Sequence, residues 1–291
     1  MKVAIYGQTY NPETKSFVLQ LLDELHKENA TIALEKDFYE FVAPESKEIT
    51  TYTIDKGLDS SIDLFVSFGG DGTILRAITY IRNLGIPIVG VNTGRLGFLS
   101  TMKKEKVKEL VRQFIDNKYT VVERSLVTVS SNRKIPEFGT MNFALNEVTV
   151  SRKDTTSMIT VETSLNDEYL SSYWADGLII ATPTGSTGYS LSCGGPVITP
   201  TAKSLVITPI APHNLNARPL VVSDDTEIKL KVSGREKYHL VSLDSRIATL
   251  ENGHEITIKK ANFTIKMIEF KSESFLKTLR NKLLWGEDKR N

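Results

Sequence analysis

The sequence has little cysteine, almost no net charge and no long apolar run. Its single cysteine, Cys193, excludes an intramolecular disulfide, and four histidines argue against a Cys/His zinc site. Lysine plus arginine (36) nearly equals aspartate plus glutamate (35), so bulk charge would not attract nucleic acid or an anionic membrane. No stretch approaches the ~18 apolar residues of a membrane-spanning helix, and the apolar run in the N-terminal MKVAIYG is too short for a signal peptide. We therefore expect a cytoplasmic protein that binds any anionic ligand through local groups.

Length and hydropathy predict two domains. At 291 residues the chain is longer than most single cores. Its first part alternates short apolar strands with amphipathic helices, which is typical of a parallel sheet. A helix is expected after Asn11, which suits an N-cap, and Pro12, which suits the first helical position. Strands are predicted at 3–6, 32–34, 64–68 and 86–91, and a further helix at 104–117.

After residue 119 the pattern changes to successive strands, which predicts a mostly antiparallel β domain. The strands are expected at 127–130, 143–151, 158–163, 178–181, 227–232 and 263–268. A final amphipathic helix at 274–284 is expected to pack on the first domain. The predicted organisation is an α/β domain at 1–102, to which 270–291 return, followed by a β-rich domain at 103–269.

The segment 64–73, LFVSFGGDGT, joins a short apolar strand to a glycine-rich turn that carries one acid, Asp71. Glycines let main-chain N–H groups approach phosphate oxygens, and the helical pattern that follows would direct its positive end to the same place. A carboxylate beside phosphates costs repulsion, so Asp71 is expected to hold a metal ion or to accept a proton from an attacking hydroxyl. The loop matches neither GxGxxG nor GxxxxGK[ST] and predicts kinase chemistry. The alternative is an ordinary Gly/Asp-rich turn.

A second unusual segment, 176–196, follows an apolar strand with a run of Gly, Thr, Ser and Pro. Its hydroxyls could bond the edge of a base or a ribose, and Tyr189 offers an aromatic face. The alternative is a long turn whose hydroxyls cap their own backbone. The hydroxyls belong to Thr182, Thr184, Ser186, Thr187, Ser190 and Ser192.

Asn146 and Glu147 stand inside the otherwise apolar strand predicted at 143–151. Adjacent strand residues point to opposite faces, so one of the two is expected to be buried or to face a site. A carboxylate and an amide suit the two hydroxyls of a ribose. The alternative is a strand end that is solvated on one side.

Together these segments resemble the motifs of the NAD kinase family, in that family's order and across most of the chain. The motifs are GGDGTILR (69–76), NTGRLGFL (92–99), LNE (145–147), DGLIIATPTGSTGYSLSCGGP (176–196) and PHNLNARPLVV (212–222). The GGDGT loop is shared with lipid kinases of the diacylglycerol and sphingosine kinase type and has a counterpart in phosphofructokinase. The LNE and TPTGSTGYSLS motifs narrow the resemblance to NAD kinases.

The resemblance implies transfer of the ATP γ-phosphoryl to the 2′-hydroxyl of the adenosine ribose of NAD, with Mg²⁺, giving NADP and ADP. Asp71 is similar to the family's proton acceptor, and Gly72 would approach the nucleotide through its backbone. Asn146 and Glu147 are similar to the pair that holds ribose. The other implied ligand contacts are Phe98, which would close the pocket, Ser157, Trp174, Asp176, Thr187, Gly188, Tyr189, Ser190, Leu191, Ser192, Ala211 and Arg246.

Within this set, the resemblance implies an adenine-recognition loop at 187–192 and contacts to the nicotinamide half of NAD from Asp176 and Ala211. Trp174 departs from the family, whose members often carry a basic or small polar residue two places before this Asp. Ser157 and Arg246 would otherwise be ordinary surface residues. No residue identifies the Mg²⁺ ligands, which in this chemistry are often phosphate oxygens and water.

The resemblance also implies a homo-oligomer, a tetramer built from dimers, in which Asp176 is contributed across subunits. Two other functions are weighed against it. A lipid kinase would share Asp71, but it needs an acyl cavity or a membrane surface and has no need of the LNE and TGYSLS motifs. A non-catalytic NAD-responsive regulator would keep the pocket, but binding alone gains nothing from a carboxylate beside phosphates.

Overall fold

The computed structural model describes residues 1–8, 10–45, 48–154, 157–270 and 274–286. The chain divides into two compact units, Met1–Glu123 with Ile265–Asn291, and Arg124–Thr264. The helix predicted at 104–117 therefore belongs to the first unit, whereas the predicted boundary assigned it to the second. Of the segment predicted to return to the first domain, 271–273 and 287–291 lie outside the described residues.

The helices and strands have the following bounds. The helices are α1 (Pro12–Lys27), α2 (Lys36–Val42), α3 (Asp71–Ile81), α4 (Val107–Ile115), α5 (Tyr189–Ser192) and α6 (Phe275–Leu283). The strands are β1 (Lys2–Gly7), β2 (Thr31–Glu35), β3 (Thr50–Tyr52), β4 (Leu64–Phe68), β5 (Ile88–Asn92), β6 (Met102–Lys103), β7 (Tyr119–Ser131), β8 (Phe143–Ala144), β9 (Glu147–Arg152), β10 (Ile159–Leu165), β11 (Glu168–Ala175), β12 (Gly177–Ala181), β13 (Ser204–Ile210), β14 (Leu220–Ser223), β15 (Ile228–Gly234), β16 (Tyr238–Leu243), β17 (Arg246–Glu251) and β18 (Glu255–Phe270). Short 3-10 turns lie at Lys104–Lys106 and Gly185–Thr187. Among the described helices, none has the length and apolar content needed to cross a membrane.

The first unit is built on a parallel sheet with the strand order β5-β4-β1-β2-β3. The C-terminal part of β18 extends this sheet, since Met267 pairs with Ile88 of β5 in parallel. The chain moves from β1 outward to β3 and then returns to β4 on the other side of β1. In open α/β sheets, ligands bind at the carboxyl ends of strands where the order reverses in this way. The predicted α/β architecture is confirmed, and Asp71 follows the carboxyl end of β4 after Gly69 and Gly70.

Local sequence accounts for the elements of this unit, as α1 illustrates. Asn11 Oδ1 accepts a hydrogen bond from Thr14 N at 2.7 Å, and Pro12 occupies the first turn, so the predicted N-terminus is confirmed. Val18 and Leu21 are fully buried in the core shared with the sheet. The predicted C-terminal helix is confirmed as α6, and it belongs to the same unit.

The second unit is antiparallel. One sheet has the order β14-β13-β12-β9-β16-β17, with every neighbouring pair antiparallel. A further set of strands has the order β11-β10-β15-β18 and is also antiparallel. Alternate residues of β15, such as Ile228, Leu230 and Val232, are buried in the apolar core of this unit. The prediction of a mostly antiparallel β domain is confirmed.

The prediction of one continuous strand at 143–151 is wrong, because the structure has two strands there. β8 ends at Ala144 and β9 begins at Glu147, so Leu145 and Asn146 form a break in the strand. The argument that Asn146 and Glu147 point to opposite faces of one continuous strand therefore does not apply. The side chain that bonds the backbone at this break is Asp244, from the turn between β16 and β17 of the same unit.

Candidate functional site

Asp71 is the first residue of α3, and its carboxylate lies against the loop that follows β5. Asp71 Oδ2 accepts a hydrogen bond from Phe98 N at 2.7 Å, and Oδ1 accepts from Leu99 N and Ser100 N at 3.0 and 2.9 Å. Ser100 Oγ donates in turn to Gly69 O at 2.9 Å. Asp71 therefore holds the loop 98–100 against the β4–α3 turn, a structural role that the sequence did not indicate.

Gly97 and Gly72, both near Asp71, differ in whether the protein leaves space for a side chain. A Cβ at Gly97 would overlap the Asp71 carboxylate, so the loop can approach Asp71 only with glycine there. A Cβ at the exposed Gly72 would meet nothing within 4 Å. The packing of the protein therefore requires glycine at 97 and does not require it at 72.

Phe98, predicted to close a nucleotide pocket, packs against the C-terminal helix of its own unit. Its ring centroid lies 6.5 Å from that of Phe275, and Lys282 Nζ lies 5.9 Å from the Phe98 ring centroid. The side chain is half-buried. Helix α6 thereby supports the loop that Asp71 holds.

The break between β8 and β9 is held by Asp244, which lies in the turn between β16 and β17. Asp244 Oδ2 accepts from Leu145 N at 3.0 Å, and Oδ1 accepts from Asn146 N and Glu147 N at 2.8 and 3.2 Å. Asp244 N donates to Glu147 O at 3.1 Å, so the contact runs in both directions. Sequence reasoning missed Asp244, because its partners are backbone N–H groups and leave no side-chain pattern.

Arg246, predicted as a ligand contact, is bonded to the chain that leads into the same break. Its guanidinium donates to Met141 O and Phe143 O, and its Cζ lies 5.3 Å from the centroid of the Phe143 ring. Arg246 and Asp244 together fix the segment 141–147. A ligand contact from Arg246 would come in addition to this structural role.

Asn146 and Glu147 each present a buried oxygen, Oδ1 and Oε2, for which the described residues supply no hydrogen-bond partner. Burial raises the pKa of the Glu147 carboxyl to about 8, and the charge of Asp244 acts in the same direction. Burial also raises the pKa of Asp244, whereas its three N–H bonds and Arg246 oppose that rise. Since N–H donors favour the charged form of a carboxyl, we assign the negative charge to Asp244 and the proton to Glu147 at neutral pH.

Gly188 borders the same two side chains. A Cβ at this position would lie 3.2 Å from Glu147 Oε2 and 3.5 Å from Asn146 Nδ2. The chain leading to Gly188 is bonded to the break, because Thr182 N donates to Asn146 O at 2.8 Å and Thr182 Oγ1 to Leu145 O at 2.5 Å. The structure thus brings the predicted ribose-holding pair and Gly188 of the predicted adenine loop together.

Most hydroxyls of the segment 182–192 bond the protein itself. Ser186 Oγ donates to a backbone carbonyl three residues earlier at 2.7 Å, and Thr187 Oγ1 does the same at 3.2 Å. Ser190 is fully buried, and its Oγ lies 2.8 Å from Thr208 Oγ1. The alternative of a self-capping turn applies to these hydroxyls, so a ligand contact from Ser190 would have to come from its backbone.

Tyr189 and Ser192 differ from these residues because both are exposed on α5. They are three positions apart and therefore lie on one side of the helix, with the half-buried Leu191 between them in sequence. Burial raises the pKa of the Tyr189 hydroxyl, and the nearby Cys193 and Asp176 raise it further.

Asp176 forms an ion pair with Arg152 that was not predicted. Arg152 Nη2 lies 3.0 Å from Asp176 Oδ2, and Arg152 N donates to Asp176 O at 2.9 Å. Both side chains are partly exposed, so the pair adds little to stability. Its effect is to orient the Asp176 carboxylate.

Trp174 and Ala211 lie at the two ends of a contact between β11 and the loop after β13. The Trp174 side chain is 51% exposed, and its ring centroid lies 5.1 Å from that of His213. His213 N donates to Trp174 O at 2.8 Å, and Ala211 has a φ of +43° at the start of this loop. Ser157 is half-buried beside positions outside the described residues, and the contacts that join the other predicted residues do not include it.

Within the described ranges, no three His, Cys, Asp or Glu side chains are grouped so that they could hold a metal ion. The residues present do not fit a metal site made of protein ligands alone. A Mg²⁺ ion that accompanies ATP would need other ligands, such as phosphate oxygens.

Two family models match the chain. "ATP-NAD kinase N-terminal domain" matches residues 3–119, which contain Asp71 and the loop it holds. "ATP-NAD kinase C-terminal domain" matches residues 145–270, which contain Asn146, Glu147 and Asp244.

The chain is also similar to whole proteins. The NAD kinase of Christiangramia forsetii is 58% identical and that of Flavobacterium psychrophilum 57% identical, and each match covers 100% of both chains. A solved NAD kinase from Archaeoglobus fulgidus in complex with ATP is 27% identical, with a TM-score of 0.75 over 98% of this chain and 99% of that one. Yeast NADH kinase complexed with NADH shares the fold, with a TM-score of 0.87 over 100% of this chain and 89% of that one at 23% identity. This chain therefore belongs to the NAD kinase family.

Proposed function

We propose that the chain transfers the γ-phosphoryl group of ATP to the 2′-hydroxyl of the adenosine ribose of NAD, producing NADP and ADP. The bond from the ribose oxygen to phosphorus forms as the bond from phosphorus to the ADP oxygen breaks, and a base takes the hydroxyl proton. The observation that carries this proposal is the pair of buried, unpartnered oxygens of Asn146 and Glu147 in a chain 58% identical to an NAD kinase. Relatives solved with ATP and with NADH support the two substrates.

Asn146 and Glu147 hold the ribose in this proposal. A protonated carboxyl donates one hydrogen bond and accepts another, and an amide also does both, which matches the two hydroxyls of a ribose. Leaving the Glu147 and Asn146 oxygens unpartnered is costly, and a ligand that supplies the missing bonds removes that cost. The absence of a side chain at Gly188 leaves room beside both groups.

Tyr189 and Ser192 recognise the adenine, the first through its ring and the second through its hydroxyl. Both are exposed on one side of α5, whereas the neighbouring hydroxyls bond the protein. We expect Tyr189→Ala and Ser192→Ala to weaken NAD binding by roughly 1–3 kcal/mol and to affect bound-state turnover less. Calorimetry measures the affinity, and unchanged binding in both variants would remove this helix from the site.

Asp176, Trp174 and Ala211 serve the nicotinamide half of NAD in this proposal. The ion pair with Arg152 directs the Asp176 carboxylate, which can accept a bond from the carboxamide N–H₂. The exposed ring of Trp174 offers an aromatic face beside it.

Asp71 is the proposed acceptor of the 2′-hydroxyl proton. Two carboxylate oxygens offer about four acceptor positions, and the three N–H bonds of Asp71 leave one for the substrate while holding the carboxylate in place. A positioned base contributes about 10²–10⁴-fold to turnover. The open space beside Gly72, at the N-terminal end of α3, suits phosphate oxygens. Mg²⁺ enters with ATP, and we assign it no protein ligand.

The decisive assay incubates the protein with NAD, ATP and Mg²⁺ and measures NADP specifically, with diacylglycerol and sphingosine as parallel acceptors. We expect NADP from NAD and no phosphorylated lipid. Phosphorylated lipid without NADP would favour a lipid kinase, and NAD binding without any transfer would favour a regulator.

The protein acts in the cytoplasm as a homo-oligomer, a dimer of dimers, in this proposal, with Asp176 contributed to a neighbouring subunit's site. Two inactive variants, Asp71→Asn and Asp176→Ala, would then regain partial activity when co-assembled, because some mixed sites contain both intact residues. Full activity from a stable monomer in sedimentation would refute this arrangement.

A further inference from the structure

Asp244 holds the backbone of the ribose-binding pair, although it belongs to none of the motifs that carry the resemblance. Its carboxylate accepts N–H bonds from Leu145, Asn146 and Glu147, and its own N–H donates to Glu147 O. These bonds replace the strand pairing that the chain gives up at the break between β8 and β9. The direction of the Asn146 and Glu147 side chains therefore depends on Asp244.

The charge of Asp244 acts on Glu147 in addition to these backbone hydrogen bonds. Arg246, the first residue of β17, acts in turn on Asp244. The neighbouring β12 and the segment 182–188 carry no ionisable side chain, and β9 and β16 carry Arg152, Tyr238 and His239 only toward their far ends. Among the groups on these elements, Asp244 is the one whose charge raises the pKa of Glu147.

We propose that Asp244 is a positioning residue for NAD, which turns Asn146 and Glu147 toward the ribose and sets the charge that Glu147 feels. This inference rests on the proposed role of Asn146 and Glu147 and adds a residue that acts through them. Asp244 accepts backbone N–H bonds with both of its oxygens, so it acts without touching the ribose.

The variant that tests the proposal is Asp244→Asn. Asn adopts the +52° φ of this position as readily as Asp, so the turn itself is preserved. An amide nitrogen cannot accept an N–H bond, so the bond from Leu145 or those from Asn146 and Glu147 are lost together with the charge. The matched control is Asp167→Asn, since Asp167 is also a turn residue of the second unit with a positive φ of +68°, and its carboxylate bonds the side chain of Lys229.

We expect Asp244→Asn to raise the dissociation constant of NAD, measured by calorimetry without ATP, about tenfold or more. Asp167→Asn is expected to leave it within about twofold. The pH dependence of NAD affinity is the second readout, because the wild type should show an inflection near the Glu147 pKa of about 8. Asp244→Asn should move this inflection to lower pH, and Glu147→Gln should abolish it. A purely structural role would weaken binding without moving the inflection.

Wild-type NAD affinity and an unmoved inflection in Asp244→Asn would overturn the proposal. If that variant does not fold, the pH dependence of NAD affinity in the wild type and in Glu147→Gln still tests the proposal. A wild-type affinity that shows no inflection between about pH 6 and 9 also overturns it. Asn146→Ala and Glu147→Ala test the underlying role separately. Unchanged NAD affinity in these two would refute the ribose site itself, whereas loss in these two with none in Asp244→Asn refutes only the positioning role.

Discussion

Asp71 in the first unit and Asp244 in the second perform the same structural task in different settings. Each carboxylate accepts three consecutive backbone N–H groups, from 98–100 in one case and from 145–147 in the other. Asp71 begins a helix, whereas Asp244 lies in a hairpin turn. The segment held by Asp71 carries no ionisable side chain, whereas the segment held by Asp244 carries Glu147.

An acid in a glycine-rich motif can therefore have a structural role as well as a chemical one. A carboxylate can be indispensable because it accepts a proton or because it holds a loop; Asp71 holds the loop 98–100 and is proposed to accept the proton as well. A loss of activity on replacing Asp71 therefore does not identify a base unless the loop is disturbed separately.

The largest expected effect separates these two roles of Asp71. Asp71→Asn should lower turnover by at least ~10²-fold, because an amide cannot accept the proton, while NAD affinity changes little. Gly97→Ala is the matched disturbance of the loop, since its Cβ overlaps the Asp71 carboxylate and pushes the loop away while the acid is kept. Steady-state turnover and NAD binding are compared in both variants.

If Asp71 is a base, Gly97→Ala should keep much more turnover than Asp71→Asn. Equal losses in the two variants would mean that Asp71 acts by holding the loop. More than about a tenth of wild-type turnover in Asp71→Asn would contradict the proposed base.

Gly188→Ala examines the space beside the segment that Asp244 holds. The new Cβ would lie 3.2 Å from Glu147 Oε2, tight enough to displace a ribose hydroxyl. We expect a roughly tenfold weaker NAD affinity with little change in folding, which calorimetry and thermal unfolding measure. Gly234→Ala is the control, because its Cβ would make only ordinary contacts at 3.4 Å or more. Similar affinities in both variants would argue against a ligand beside Glu147.

Gly72→Ala tests the open side of Asp71 in a way that separates binding from stability. The Cβ meets nothing within 4 Å in the protein, and alanine favours a helix over glycine by up to about 1 kcal/mol. We expect a slightly higher melting temperature together with lower kcat/KM, because the proposed nucleotide would occupy that space. Unchanged kinetics would show that no substrate approaches Gly72.

A further prediction concerns stability against pH, which should depend on Glu147 and not on the exposed turn acid Asp167. The pKa of Glu147 is raised from 4.5 to about 8, so the folded state binds the proton more tightly than the unfolded state. Glu147 therefore stabilises the fold at low pH, and this contribution is lost as the pH rises toward about 8.

Thermal unfolding of the wild type and Glu147→Gln between about pH 5 and 8 checks this sign. The difference in melting temperature between them should change steadily over this range. Asp167→Asn should parallel the wild type, because its bond to Lys229 lowers the pKa of Asp167, which places that titration at more acidic pH. A parallel course for Glu147→Gln as well would contradict the assignment of the proton to Glu147.

The parts of this structure that the sequence predicted are those that depend on local pattern. The N-cap of α1, the α/β order of the first unit and the antiparallel second unit follow from capping, periodicity and turn residues. The roles of Asp71 and Asp244 as loop holders could not be predicted, because every residue except proline has a backbone N–H group, so these partners leave no side-chain pattern.

The segment 182–192 also contains contacts that could not be predicted from its sequence. Its hydroxyls all look suitable for a nucleotide, yet Ser186, Thr187 and Ser190 bond the protein while Tyr189 and Ser192 face outward. Only the folded backbone decides between the two uses of a hydroxyl.

Asp71 and Asp244 also differ in their distance along the sequence from the residues that they bond. Asp71 bonds residues 27 to 29 positions further on, whereas Asp244 bonds residues 97 to 99 positions earlier. Closing a longer loop costs more entropy, and contacts of high sequence separation form later in folding. During synthesis, Asp71 can bond the loop after β5 once about a third of the chain has emerged, but Asn146 and Glu147 must wait for the β16–β17 hairpin. Fragments that end before Asp244 lack the acid that holds 145–147, and they also lack the segment 265–291 that completes the first unit, so they should fail to bind NAD.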